Sequence, residues 1–244
     1  MQKRIKMHMS TRKKKFVITS VLVSAPFIRK CSRSDPNLIQ CAVTNANLAI
    51  PTLVKEGVPS LDIPVLSPLL IRELELPGTT FTVLLTNVRL EGLENFRLTR
   101  GEVSLEIKDQ RLLFEIPLLR IAADYKIITS GVFARSIQGG GKLELSLDQN
   151  SGILDVGLAA YQKNGDLHFK YEGWKLGWET QRILYNFSDL YTSDTVDFPE
   201  FLNKHKEIVD YRIKPAVQKL LLRYLKLVLN NLVEKVPARG IFDL

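Results

Sequence analysis

The chain has 244 residues, 45% of them hydrophobic, which is enough for one large or two small domains and too apolar for a disordered chain. Its formal charge of +8 would suit a nucleic-acid binder, but seven of its 34 Lys and Arg precede residue 26, where there are no acids. The remainder carries 27 bases against 26 acids, or +1, so no folded basic face is implied and nucleic acid drops out as a partner.

The leader itself, with Lys3, Arg4, Lys6, Arg12, Lys13, Lys14 and Lys15 ahead of the apolar run Phe16 to Ala25, has the order of a secretory signal, and Val23-Ser24-Ala25 resembles a small-residue cleavage site. Residues 1–25 are therefore read as a signal peptide and 26–244 as a single domain; the alternative is a cytosolic protein with a basic tail. The only cysteines, Cys31 and Cys41, flank Asp35-Pro36. In an exported protein such a close pair reads as one disulfide contributing about 3 kcal/mol, the alternative being two unpaired buried thiols.

Apolar residues then recur at helical spacing from Leu38 to Leu53, with Asp35-Pro36 as cap and first helical position and Gly57 as the stop. Pro51 predicts a kink or an end one turn early. Pro59, Pro64 and Pro68 mark an extended connector. From about Thr80 to Trp178 the period falls to two: Val103, Leu105 and Ile107, then Leu112, Phe114, Ile116 and Leu118, then Leu143, Leu145 and Leu147, then Leu167, Phe169 and Tyr171. Pro77-Gly78, Lys108-Asp109-Gln110, Gln149-Asn150-Ser151-Gly152 and Asn164-Gly165 read as hairpin connectors, which makes consecutive antiparallel pairing the simplest topology. Glu102, Glu106 and Glu144 fall on the wet face of that sheet.

Asp197 and Glu200 stand at capping-box spacing before a helical run from Phe198 to Val236, which would extend about 55 to 60 Å, with a kink or break expected at Pro215. In its last part, Ala216 to Val236, the polar residues Lys219, Arg223, Lys226, Asn230 and Glu234 form one narrow stripe and the rest is apolar. A charge on almost every turn argues against a membrane span. A helix so apolar must be wrapped, and a long one-faced sheet must cover something. The fold class expected is therefore α+β, a long curved antiparallel sheet around a long C-terminal helix, with a short N-terminal helix.

Signals for catalysis are scarce: there is no Gly-x-Ser-x-Gly elbow and no metal-ligand cluster, so no catalytic residue, metal or cofactor is expected. His168 and His205 read as solvated surface residues, and Gly139-Gly140-Gly141-Lys142 leads into a strand pattern, so it reads as a hairpin or sheet bend and not a phosphate loop. Trp174 and Trp178 read as core aromatics, the alternative being the edge of a ligand mouth. Asn186-Phe187-Ser188 is the one glycosylation sequon, with Asn186 the acceptor if the chain is exported.

Several of these features together resemble the takeout and haemolymph juvenile hormone binding protein family of insects. They are Cys31 through Asp35-Pro36 to Cys41, Gly57-Val58-Pro59-Ser60-Leu61-Asp62-Ile63-Pro64 ahead of Pro68, Tyr125, Ser130-Gly131, the Gly139 to Gly141 element, Pro215, Val236-Pro237 and Phe242. The chain departs from the family pattern at Ser67, where an acidic residue often stands, and around Asn203 to His205, where Asn-x-Asn-Trp is missing. The resemblance implies a TULIP-like half-barrel with an apolar tunnel, and a secreted, monomeric carrier of juvenile hormone, another terpenoid or a fatty acyl ligand, with roles in feeding, circadian output or chemosensory behaviour. A membrane-docking lipid-transfer module and a lipid esterase are the rival functions. Inward candidates for the ligand are Leu105, Phe114, Ile116, Tyr125, Ile127, Phe133, Leu145 and Phe169 on the sheet and Leu221 and Leu225 on the helix.

Overall fold

The computed structural model describes residues 27–32, 34–76, 81–102, 109–129, 137–188, 190–192 and 206–243. In chain order the elements are β1 (Cys31–Ser32), α1 (Leu38–Lys55), β2 (Leu69–Leu76), β3 (Phe81–Glu91), β4 (Arg97–Glu102), β5 (Asp109–Thr129), β6 (Ile137–Lys163), β7 (Asp166–Phe187), β8 (Leu190–Thr192), α2 (Lys206–Lys235), α3 (Ala238–Ile241) and β9 (Phe242–Asp243). The large sheet runs β2-β3-β5-β6-β7, with β4 also pairing β5 and β8 pairing β6; every pairing in it is antiparallel. It curves around the C-terminal helix, as the sequence pattern requires.

Helix α1 begins two residues later than expected, because the Asp35 carboxylate accepts the Asn37 N–H at 2.8 Å and spends the capping acid on a turn before the helix. Pro51 does not shorten it; the helix reaches Lys55. The Asn47 side chain, one turn before Pro51, docks on β4 like a strand, donating to Leu98 O and accepting from Leu98 N, both at 2.8 Å. The carbonyl of Val54 is satisfied by the N–H groups of Leu66 and Ser67. Gly57 then takes φ 66°, and a Cβ there would stand 2.7 Å from Ile63 O, so both conformation and space call for glycine.

The sheet corrects the sequence reading at its middle. Gln149-Asn150-Ser151-Gly152 is no hairpin connector: β6 runs through it without a break for 27 residues. Asp109 and Gln110 likewise open β5 and are not turn residues. Phe114 and Ile116 are buried, and then the buried set shifts to Leu119, Ile121, Ala123 and Tyr125, so Leu118 is half-buried where strict alternation put it inside. β6 changes phase at the same level, from Leu143, Leu145 and Leu147 to Asn150, Leu154 and Val156, and β7 from Leu176, Trp178 and Thr180 to Tyr185. Pro117, Gln149 and Gln181 are skipped together in the two ladders, and Gln149 has φ 53°. Buried polar side chains hold this bend: Asn150 Nδ2 donates to Ile116 O and Leu147 O, and Thr180 Oγ1 to Asp148 O. A strand this long would run out of the core if flat; one coordinated bend re-aims its second half inward. The Asn164-Gly165 turn, with φ 53° and 85°, joins β6 to β7 as expected. Gly140 and Gly141 lie inside β6, paired to Lys126 and Tyr125, not at a hairpin.

Helix α2 runs through Pro215 from Lys206 to Lys235, about 45 Å at 1.5 Å per residue, so of the kink or break expected there it shows no break. The segment from Phe198 to His205, and with it the Asp197 and Glu200 pair, lies outside the described residues. Of the polar stripe, Lys219 and Arg223 are exposed, whereas Lys226, Asn230 and Glu234 are half-buried; the Lys226 ammonium lies 5.9 Å from the Trp174 ring centroid. Gln218 Nε2 donates to Leu176 O and so covers part of the β7 edge. At the far end Asn231 and Lys235 bond to Asp62, and the chain ends pair: β1 and β9 run parallel, Cys31 beside Phe242 and Ser32 beside Asp243.

Candidate ligand-binding cavity

Cys31 and Cys41 form a disulfide, with Cα atoms 6.0 Å apart, which ties β1 and its partner β9 to the first turns of α1. Behind this clasp lies a cavity of about 260 Å³. Three layers build it. Helix α1 contributes Ala42, Ala46, Ala49, Ile50, Leu53 and Val54, in which the three alanines recur at steps of four and three on one face and leave room where larger side chains would fill it. Helix α2 contributes Leu220, Leu221, Tyr224, Leu225, Val228, Leu229 and Leu232, again one helical face. The sheet side is Leu69, Leu90, Leu98, Leu112, Phe114 and Leu154, with Leu66, Leu93 and Phe96 from the connecting turns. Ile28, Arg29, Cys31, Ile241 and Phe242 close the clasp end.

The Phe114 ring is held by two neighbours: it stacks on Phe96 with centroids 4.7 Å apart, and it covers Gly152, its partner across the ladder, where a Cβ would stand 2.6 Å from the ring Cε1. Gly152 is thus required by the ring and not by a turn. Asn45 is the polar group nearest the disulfide, its Nδ2 donating to Arg29 O at 3.0 Å and approaching Cys31 Sγ at 3.2 Å.

Of the sheet and helix positions singled out from the sequence, Phe114, Leu221 and Leu225 line the cavity. Ile116 and Leu145 are buried in packed core, and Ile127 is half-buried against it. Tyr125 donates to Ser188 O at 2.7 Å and meets Phe187 edge-on, which anchors the opposite half of the sheet. Phe169 packs with Val233 and Ala238 and meets Phe242 edge-on, standing one layer behind the wall. Leu105 and Phe133 lie outside the described residues. What sequence reasoning missed is the contribution of α1 and of both chain ends; the alanine spacing was the available signal for the first, and nothing local announced the second.

His168 is also a correction. It is 7% exposed, paired across the ladder with Tyr161 and tilted against that ring with centroids 5.8 Å apart, rather than solvated. Trp178 is buried and Trp174 packs against the core, as expected of core aromatics. Burial pushes the Tyr171 phenol up to about 12. On the outer face of the sheet Arg111 pairs with Asp155 at 2.7 Å, and Lys142 with Asp124, whose carboxyl is held below its usual range by Lys142 and then Asn87. Among the described residues no group of three or more His, Cys, Asp and Glu could hold a metal ion, and no helix is long and apolar enough to cross a membrane.

No curated protein sequence matches the chain. The crystal structure of Epiphyas postvittana Takeout 1 does, with a TM-score of 0.72 at 18% identity, covering 89% of this chain and 100% of that one, which is a likeness of fold. The family model described as haemolymph juvenile hormone binding protein (JHBP) matches residues 16–243. With a half-barrel around a long helix, a disulfide at its N-terminal clasp and a match over nearly its whole length, this chain belongs to the haemolymph juvenile hormone binding protein family.

Proposed function

We propose that this protein is a secreted, monomeric carrier that holds an elongated hydrophobic molecule, a juvenile hormone, another terpenoid or a fatty acyl chain, in the cavity between α1, α2 and the sheet. The observation that carries this reading is the cavity wall itself, which among the described residues is apolar except for Arg29, Asn45 and Tyr224. Burial of a ligand there supplies about 25 cal/mol per Å² of apolar surface before the costs of binding are deducted. Family membership supports a binding protein and not an enzyme. Residues 1–25 would be the signal peptide, 26–244 the single binding domain, and Asn186, exposed on β7, the glycan acceptor. Circadian, feeding or chemosensory physiology would be the setting.

The test is mass spectrometry of protein secreted from insect cells, both intact and after organic extraction. A stoichiometric terpenoid or fatty acyl compound is expected, on a chain cut near Ala25 and carrying a glycan at Asn186. Phospholipid instead would favour the lipid-transfer alternative, hydrolysed lipid the esterase, and an empty protein that takes up no apolar probe would sink the carrier reading.

A further inference from the structure

Among the described residues three with polar side chains line the cavity, and they are not equivalent. Asn45 is committed to the clasp through Arg29 O and the disulfide sulfurs. The Tyr224 ring has the Arg223 guanidinium 5.8 Å from its centroid. Arg29 lines the cavity and is exposed, so it stands where the cavity meets solvent, and it is the only charged residue among the described residues of the wall. Its neighbour Lys30 is paired to Asp243 at 3.8 Å, but the Arg29 guanidinium makes no ion pair with any described residue. An arginine can lay its stem along an apolar wall while the guanidinium stays in water.

From this placement we propose that Arg29 is a head-group site, and that the ligand is a long-chain fatty acid whose carboxylate pairs with the Arg29 guanidinium at the mouth while its alkyl chain fills the cavity. The proposal deepens the carrier reading and rests on it. A carboxylate drawn inside would find no cation and would lose its hydration, so an acid can bind only with its charge at the mouth. There the planar guanidinium can take both carboxylate oxygens. A methyl ester of the same chain buries the same alkyl surface but gains nothing from Arg29, which makes the pair of ligands diagnostic.

Displacement of the neutral dye N-phenylnaphthylamine by myristic acid and by methyl myristate, from the wild-type protein, Arg29→Gln and Arg29→Lys, tests it. Wild type should prefer the acid by about fivefold, since a solvent-exposed ion pair is worth no more than about 1 kcal/mol. Arg29→Gln should abolish the preference, weakening the acid more than the ester, Arg29→Lys should keep most of it, and added salt should shrink it. Equal binding of acid and ester, or a preference that survives in Arg29→Gln, would overturn the head-group assignment while leaving the carrier standing. Failure of both ligands to displace a dye that binds wild type would overturn the assignment and the carrier reading together.

Discussion

The bend at Pro117, Gln149 and Gln181 divides the sheet into two halves that bury apolar surface in opposite ways. On the clasp side, Leu112, Phe114 and Leu154 face α1 across a cavity; on the other side, Leu119, Ile121, Leu143, Leu145 and Leu147 pack in solid core with Tyr125 and Tyr185. Over the cavity α1 presents the small residues Ala42, Ala46 and Ala49, whereas at the other end the strands themselves supply the large rings of Tyr125, Tyr185 and Phe187. The void thus lies where a helix offers small residues, and the solid half where the sheet's own rings fill the space.

Truncation should separate the halves most sharply. Leu147→Ala, at a fully buried position, should cost about 2 to 5 kcal/mol in denaturant unfolding and leave dye affinity unchanged. Leu225→Ala, on the cavity wall, should cost clearly less and alter affinity instead; equal costs would erase the contrast between the halves. Cys41→Ser removes the tie between β1 and α1 and should lower stability by about 2 to 4 kcal/mol, read by thermal unfolding, while the sheet core persists. Gly152→Ala drives a methyl into the Phe114 ring and should cost about 1 to 3 kcal/mol while reducing uptake of a fluorescent fatty acid, because that ring lines the cavity.

Leu225→Trp should leave the protein folded and block long ligands, since a void accepts volume that a packed core rejects; unfolding of this variant would place Leu225 in solid core. The effect of pH is confined to the alkaline range. Burial raises the Tyr171 phenol from 10.0 to about 12, so between those values the folded chain keeps a proton that the unfolded chain has lost, and stability falls as pH rises through that window. The melting temperature of Tyr171→Phe should therefore decline less steeply above pH 10 than that of wild type, and parallel slopes would remove Tyr171 as the cause.

The α+β class, the antiparallel order of the long strands, the wrapped helix and the disulfide were legible in the sequence, because each depends on local periodicity or on residues close in the chain. Phe114, Leu221 and Leu225 were legible as inward positions for the same reason. The long strand β6 was not, since Gln149 to Gly152 carries the residues of a turn; only the neighbouring strands decide that Asn150 bonds to Ile116 O and Leu147 O and that Gly152 lies under Phe114. Nor could period two show that its phase changes once in β5, β6 and β7 together, which sent Leu118 to the wrong side and Leu119 to the right one. The cavity itself was decided by tertiary structure alone. Its wall joins residues from Ile28 to Phe242, and whether an alanine on a helix leaves space or meets a partner depends on what stands opposite, which sequence spacing does not contain.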